Sequence, residues 1–177
     1  MKLKLKYVLI LALFTLPLTA HAQDATNTSA APTATGMRLI DPVRGIEFTA
    51  PNPTWGLNAS EHTISLNHST LFDAHVTLKK SWYTVSTVQQ AYDKRKESLK
   101  SYLPGAVFIK ENETLTLGDN ISAISMTYKN PSDLKVKREI MFINKGQAYE
   151  LVFEAKEENF QSVKDDFGFI LRNMKFL

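Results

Sequence analysis

Histidines and their neighbouring carboxylates are the side chains in this sequence most suited to acid–base or metal chemistry. His62, His68 and His75 are the histidines that follow the first 22 residues. In a strand, His62 and His68 would lie about 20 Å apart, too far to share one metal ion. His68 and His75 flank a short connection and, with Asp73, would form a minimal site. Since no further ligand follows at a defined spacing, we expect surface histidines and no metal centre.

The sequence lacks the short motifs that mark common catalytic sites. It has no G-x-S-x-G, no H-E-x-x-H, no S-x-x-K followed by K-T-G, and no glycine-rich phosphate loop. The absence of cysteine excludes thiol nucleophiles and cysteine metal sites. The pairs Glu157-Glu158 and Asp165-Asp166 both fall in the last predicted helix. Glu157 and Glu158 are in its first turn, where acidic residues suit the positive end of the helix dipole. We therefore expect a non-enzymatic accessory or binding protein without a cofactor. The alternative functions are a small envelope hydrolase and a periplasmic immunity-type protein.

Two basic runs are candidates for contact with an anionic surface or a partner. The first contains Lys135, Lys137 and Arg138. A two-residue turn at Lys145-Gly146 would instead pair Lys137 with Glu154, which is ordinary cross-strand chemistry. The second run, 94–96, is flanked by acidic residues and is typical of a solvated helix face.

The aromatic pair Trp82-Tyr83 lies between a predicted strand and a predicted helix cap. Adjacent residues in an extended segment point to opposite sides, so we expect one ring to pack inward and the other to face solvent. Large aromatic residues on connecting segments are favoured in recognition. The alternative is that both rings cover the junction between helix and sheet. We predict that this pair, with the end of the 135–138 strand, forms the partner surface. Trp55 is expected in the core.

The net charge of +3 is local to the start of the chain. Lys2, Lys4 and Lys6 precede an apolar run that ends at Pro17, and Ala20-His21-Ala22 follows as a cleavage signal. We predict a signal peptide over 1–22, cleaved after Ala22, because the apolar run is shorter than the about 20 residues that span a bilayer.

The remainder of the chain has as many basic as acidic residues, so its charge gives no reason to expect nucleic acid as a partner. Export without cysteine favours the bacterial periplasm. We expect an unknown envelope protein as the partner, and no stable membrane insertion after cleavage. Residues 23–36 are rich in Ala, Thr and Ser with a single charge, which predicts a flexible linker. Residues 37–177 are then one domain.

Apolar periodicity places the candidate residues on strands and two helices. A capping box from Ser86 to Gln89 and a stop at Pro104-Gly105 bound the first helix. Short turns between consecutive strands require antiparallel pairing. The prediction is an α+β domain whose largely antiparallel sheet, of about six to seven strands, is sandwiched by helices. The strands are expected at 45–50, 62–68, 72–79, 106–117, 121–129, 134–144 and 147–155, and the last helix at 157–174.

This order of elements resembles the PsbP-like superfamily, which includes the bacterial DcrB-like periplasmic proteins. The resemblance covers about 38–176. It rests on the opening segment Gly45-Ile46-Glu47-Phe48 with Pro51 and Trp55, on the first helix and the strand block after it, and on the closing helix that ends at Lys175-Phe176. It implies an α/β/α sandwich and a non-enzymatic accessory protein. Photosynthetic members of the group stabilise a membrane complex, and a nuclear relative of the same fold binds a small GTPase. The group offers no catalytic motif to transfer to this chain.

Overall fold

Strands with alternating apolar and polar residues build most of the molecule. The computed structural model describes residues 37–177; the predicted signal peptide and linker lie outside that range and stay predictions. The elements, in chain order, are β1 (Arg38–Asp41), β2 (Ile46–Thr49), β3 (Trp55–Ala59), β4 (Thr63–His68), β5 (His75–Lys80), α1 (Val88–Tyr102), β6 (Val107–Leu117), β7 (Ile121–Asn130), β8 (Lys135–Asn144), β9 (Gln147–Lys156), α2 (Glu157–Phe160), α3 (Lys164–Asn173) and β10 (Lys175–Phe176).

Seven of the strands form one antiparallel sheet in the order β3-β4-β5-β9-β8-β7-β6. β9 pairs with both β5 and β8, so the chain places its last long strand in the centre of the sheet. A second sheet of three strands has the order β1-β2-β10. The predicted α+β sandwich with an antiparallel sheet is confirmed.

The two faces of the large sheet bury different sets of side chains. One face packs against α1 and holds Tyr83, Tyr92, Leu99, Tyr128 and Met141. The other face packs against α3 and the small sheet, and its aromatic centre is Phe48, Trp55, Phe142, Phe153 and Phe167. Because side chains alternate along a strand, each of the central strands contributes to both faces.

Trp55 and Gly118 help to close the second face of the large sheet, and the burial of Trp55 was predicted from the sequence. Trp55 is 1% exposed, as predicted, and its indole Nε1 donates to Asp166 Oδ2 at 2.7 Å. Gly118 lies where the end of α3 passes, and a Cβ there would be 2.0 Å from the carbonyl oxygen of Met174. Only glycine fits this close approach without moving the backbone.

Three predictions about the elements were wrong in detail. The last helix is broken at 161–163, where the amides of Ser162 and Lys164 donate to the carbonyls three residues earlier, as in a turn and not in an α-helix. The third predicted strand begins at His75, and Phe72 before it is 80% exposed. β1, β3 and β10 were not predicted, since each is five residues or fewer and has little alternation.

The first helix has its cap one residue later than expected. Thr87 is the N-cap and its hydroxyl accepts from the amide of Gln90, while the Gln90 side chain accepts from the amide of Ser86. Within residues 37–177, no helix has the length and apolar character needed to cross a bilayer.

Candidate functional site: a cleft beside Trp82

Trp82 and Tyr83 point to opposite sides of the segment that follows β5. Ser81 still donates its amide to the carbonyl of Ala148, so the extended backbone continues past the end of the strand. Trp82 is 82% exposed and Tyr83 is 5% exposed. The prediction that one ring packs inward and the other outward is confirmed, and Trp82 is the outward ring.

Tyr83 anchors this segment to the start of α1. Its hydroxyl donates to the carbonyl of Ala91 at 3.1 Å and lies 3.3 Å from Glu150 Oε1. Burial, together with the nearby charge of Glu150, raises the pKa of Tyr83 to about 12, so the hydroxyl stays a donor at neutral pH. The Trp82 ring contacts the Tyr83 ring edge-on, with 5.4 Å between centroids. A rigid inner ring therefore supports the exposed outer one.

The indole of Trp82 borders an open cleft of about 620 Å³. Four connections meet there: the β1–β2 turn, the β3–β4 turn, the end of β5 and the β8–β9 hairpin. Besides Trp82, the lining includes Val43, Arg44, His62, Lys80 and Lys145. Val43 is 91% exposed, so the cleft has a second bare apolar side chain at its edge.

The cleft is cationic because two of its lysines are free. Arg44 is fully used in structure: it pairs with Asp41 and donates to the carbonyls of Ser60 and Glu61 at 3.1 and 2.6 Å. Lys80 and Lys145, in contrast, have no acidic group within ion-pair distance in the described part of the chain.

The cleft has little negative charge to balance these two lysines. Glu61 is the acidic side chain of the lining, and it is highly exposed beside the equally exposed His62 at 4.0 Å. The arrangement offers an aromatic surface beside uncompensated positive charge. That combination can hold an apolar side chain and an acidic group of a partner at the same time.

The basic run does not belong to this cleft. The segment of Trp82 meets the start of β9 at Ala148, whereas Lys135 pairs with Lys156 at its end. Eight residues of strand separate those points by about 26 Å. The predicted surface that joins both regions was therefore wrong in its geometry.

The run is also divided between the two faces of the sheet. Lys135 and Lys137 lie on the α1 face and bind Glu154 at 2.8 and 2.9 Å, so the alternative prediction of cross-strand pairing is confirmed. Arg138 lies on the opposite face, because successive residues of a strand alternate. The run therefore cannot act as one cationic patch.

A buried ionic cluster on the α1 face was missed by sequence reasoning. Arg95 was expected on a solvated helix face but is 8% exposed. Its guanidinium donates to both oxygens of Glu139, at 2.6 and 2.8 Å, and its Nε lies 3.3 Å from Glu150 Oε2. Lys79 lies 3.0 Å from the same oxygen, and Tyr128 donates to Glu139 at 2.7 Å.

The two basic and two acidic side chains of this cluster balance in charge, so the cluster serves to stabilise the fold. Burial alone would lower the pKa of Arg95, but the hydrogen bonds and charge of Glu139, with the charge of Glu150, raise it above its ordinary value. Burial and the charge of Glu139 also raise the pKa of Tyr128. A sequence signal existed: Arg95 lies between Ala91, Tyr92 and Leu99 on the apolar face of its helix.

His68, His75 and Asp73 are engaged in local hydrogen bonds, and His62 is exposed. His68 Nδ1 accepts from the amides of Thr70 and Leu71, at 3.3 and 3.0 Å. His75 Nδ1 lies 2.8 Å from Asn67 Oδ1. Asp73 accepts from the amide of Lys156 and from the side chain of Asn159. No group of three or more metal-binding side chains occurs among residues 37–177.

The acidic pairs of the closing helices have separate structural contacts. Glu157, in the first turn of α2 as predicted, pairs with Lys129 across the sheet end. Asp166 accepts from the Trp55 indole and lies 3.5 Å from the Asn52 amide nitrogen.

Comparison with known proteins identifies the fold. No protein-family model matches the sequence, and no curated protein matches it as a relative. The solution structure of cyanobacterial PsbP (CyanoP) from Synechocystis sp. PCC 6803 matches with a TM-score of 0.59 and 14% identity, over 84% of this chain and 96% of that one. The chain therefore has the PsbP-like fold, as the resemblance implied.

A second solved structure overlaps less well. LpqN of Mycobacterium tuberculosis, described as involved in cell envelope biogenesis, matches with a TM-score of 0.47 and 15% identity, over 81% of this chain and 86% of that one. This similarity is too low to carry a conclusion about this chain.

Proposed function

We propose that this protein is a non-enzymatic accessory protein of the bacterial cell envelope that binds an acidic segment of a partner protein at the Trp82 cleft. The observation that supports this most is the indole of Trp82, which is 82% exposed although a buried tyrosine holds its backbone in place. A large exposed aromatic ring on an anchored segment is the kind of residue that concentrates binding energy in protein interfaces.

The charge of the cleft defines the chemistry of the partner. Lys80 and Lys145 lack ion-pair partners within residues 37–177, and Arg44 is occupied by Asp41 and two carbonyls. An acidic group on the partner would bring opposite charge to the two lysines, and an adjacent apolar side chain would cover the indole. Truncation of such an anchor typically weakens binding by about 2 kcal/mol or more, which is roughly 30-fold in Kd.

The proposed periplasmic location is supported by the sequence. Lys2, Lys4 and Lys6, the short apolar run and the Ala20-x-Ala22 signal support export into the periplasm with cleavage after Ala22. We also propose that this protein is related to the bacterial DcrB-like periplasmic proteins.

The non-enzymatic part of the proposal is supported by how the polar groups are used. A hydrolase would need a base and a nucleophile that converge in a cavity. His68 Nδ1 instead accepts two backbone amides, and Asp73 fixes the junction of β9 and α2. Hydrogen bonds from the Lys156 amide and Asn159 outweigh the effect of burial and lower the pKa of Asp73, so this carboxyl is a poor proton donor at neutral pH.

The test is capture of partners from the envelope by wild-type protein and by two matched variants. Trp82→Ala removes the proposed anchor, and Phe72→Ala removes an aromatic ring of nearly equal exposure, 80%, at the other end of β9. We expect both variants to keep the melting temperature of the wild type. Proteins recovered by wild type and by Phe72→Ala should fall at least 10-fold with Trp82→Ala.

A charge reversal provides an independent arm of the same test. Lys80→Glu combined with Lys145→Glu should abolish recovery of the same proteins while circular dichroism stays unchanged. Equal recovery by wild type, Trp82→Ala and the charge-reversed variant would overturn the proposal, as would a wild type that captures nothing beyond the bare resin.

A further inference from the structure

A second cavity of about 640 Å³ opens on the face of the sheet opposite α1. Its floor is apolar and consists of Val136, Phe153, Phe160, Phe167 and Leu171. It extends from α3 towards β6, the edge strand, where two irregularities of register interrupt the pairing with β7. This groove shares no lining residue with the Trp82 cleft.

A glycine in α3 keeps the groove open. Gly168 lines the cavity in the interior of the helix, where glycine is normally unfavourable. A Cβ at this position would lie 3.0 Å from the guanidinium of Arg172, so that charged group folds over the glycine. A larger residue here would fill the groove and displace the arginine.

Arg138 lies beside this apolar floor, and its guanidinium makes few hydrogen bonds. Along one row of the sheet it stands between Phe153 and Thr127. Its Nε is buried without a hydrogen-bond acceptor in the part of the chain that the structure describes. A terminal nitrogen has two distant neighbours, Ser125 Oγ at 3.5 Å and Glu113 Oε2 at 3.7 Å. The side chain is 34% exposed, so its terminal nitrogens can reach an anion in the groove.

The rim adds positive charge. Lys110 and Lys129 pair with Glu113 and Glu157, but Lys164 and Arg172 have no acidic partner within ion-pair distance among residues 37–177. The lining contains five basic and three acidic side chains in all: Lys110, Lys129, Arg138, Lys164 and Arg172 against Glu113, Glu157 and Asp165. The lining therefore has a net charge of +2, which attracts an anion.

We propose that this groove binds a single-chain carboxylate amphiphile, such as a long-chain fatty acid. The chain lies on the floor of phenylalanine, valine and leucine side chains, and the carboxylate meets the Arg138 guanidinium. The cavity is within the range of volumes that hold small ligands, and the combination of apolar floor, unsatisfied arginine and weakly cationic rim matches the two ends of such a molecule. This site is independent of the Trp82 cleft.

The test uses sodium myristate, kept below its micelle concentration, in a calorimetric titration of the purified protein. Arg138→Gln should weaken binding at least 10-fold, because a neutral amide cannot match the guanidinium fork. Lys100→Gln, an exposed position on α1, is the matched control and should bind as wild type. Shortening the chain from 14 to 10 carbons should weaken binding by about 2–4-fold per methylene removed.

A second variant fills the groove and leaves the charge of Arg138 unchanged. Gly168→Leu should keep or raise the melting temperature, because leucine is the better helix former, and should abolish myristate binding. Binding to both variants at wild-type affinity would overturn the proposal, and so would the absence of binding to the wild type. Tighter binding of tetradecyl phosphate than of myristate would overturn the assignment of a carboxylate.

Discussion

Arg95 and Arg138 stand on opposite faces of the same sheet and meet opposite surroundings. Arg95 reaches the sheet from α1 and finds two buried glutamates, of which Glu139 accepts from it twice. Arg138 is the neighbour of Glu139 in β8, points the other way, and keeps a buried Nε without an acceptor among residues 37–177.

The charge of Arg95 therefore stabilises the fold, whereas the charge of Arg138 is available to a ligand. On the α1 face, Arg95 and Lys79 balance Glu139 and Glu150. Glu150 Oε2 makes no hydrogen bond of good geometry in the described residues, yet two cations lie within 3.3 Å of it. This cluster of four side chains is neutral overall. On the other face, a guanidinium with spare donors borders an open groove.

The largest expected effect is the loss of the paired arginine. Arg95→Met leaves Glu139 and Glu150 buried without their main cation, which typically costs about 3–5 kcal/mol of the free energy of unfolding. Urea unfolding followed by circular dichroism measures this loss. Lys94→Met, at the exposed neighbouring position, is the control and should change the stability by less than about 0.5 kcal/mol. A loss of under about 1 kcal/mol for Arg95→Met would show that the cluster does not hold α1 to the sheet.

The next effect concerns the tyrosine that links this cluster to the Trp82 cleft. Tyr83→Phe removes the hydroxyl that contacts Ala91 and Glu150, and we expect a loss of about 1–2 kcal/mol. Chemical denaturation measures it. Trp82→Phe should be neutral in the same experiment, since that ring is exposed. Equal effects of the two substitutions would mean that the inner ring does not anchor the segment.

A smaller effect depends on pH. Burial would raise the pKa of Glu154, but hydrogen bonds from Lys135 and Lys137 outweigh it and hold the pKa below its usual range. A lowered native pKa stabilises the fold above the unfolded pKa of about 4.3, and that contribution is lost as the pH falls through the native value. Glu154→Gln should therefore cost about 1 kcal/mol at pH 7. The difference from wild type should shrink as the pH is lowered below about 4.3. A difference that is constant with pH would contradict the assignment.

The smallest effect is expected at Arg138, whose acidic neighbour Glu113, at 3.7 Å, is itself partly exposed. Arg138→Met should change the stability by less than about 0.5 kcal/mol, because no buried acid depends on it. Thermal melting of this variant beside Arg95→Met gives the comparison directly. A loss for Arg138→Met as large as that for Arg95→Met would remove the distinction between the two faces.

The long elements were predictable from the sequence. β7, β8 and β9 were placed within one residue at each end, since turn residues such as Lys145-Gly146 bound long alternating strands. The pairing of Lys137 with Glu154 followed from the same turn. β1 and β10 were missed because strands of four and two residues carry too little pattern to detect.

The candidate sites were predictable only in part. The position of Trp82 on a connecting segment predicted an exposed ring, but not the cleft beside it, because that cleft is made by four connections distant in sequence. Arg95 was assigned to solvent from its charged neighbours, although its helical spacing with Leu99 placed it on the buried face. The groove near Arg138 depends on how α3 lies across the sheet, which local sequence does not encode.

Photocrosslinking in intact cells tests the central claim, that this protein acts by binding through the Trp82 cleft, most directly. Photoreactive benzoylphenylalanine is introduced in place of Val43, which lines the cleft and is 91% exposed, so that Trp82 itself is kept. The same probe in place of Phe72 is the control. We predict a discrete protein adduct from position 43 that disappears when Trp82→Ala is added, and no such adduct from position 72. An adduct from position 72 with none from position 43, or one from position 43 that persists in Trp82→Ala, would contradict the account.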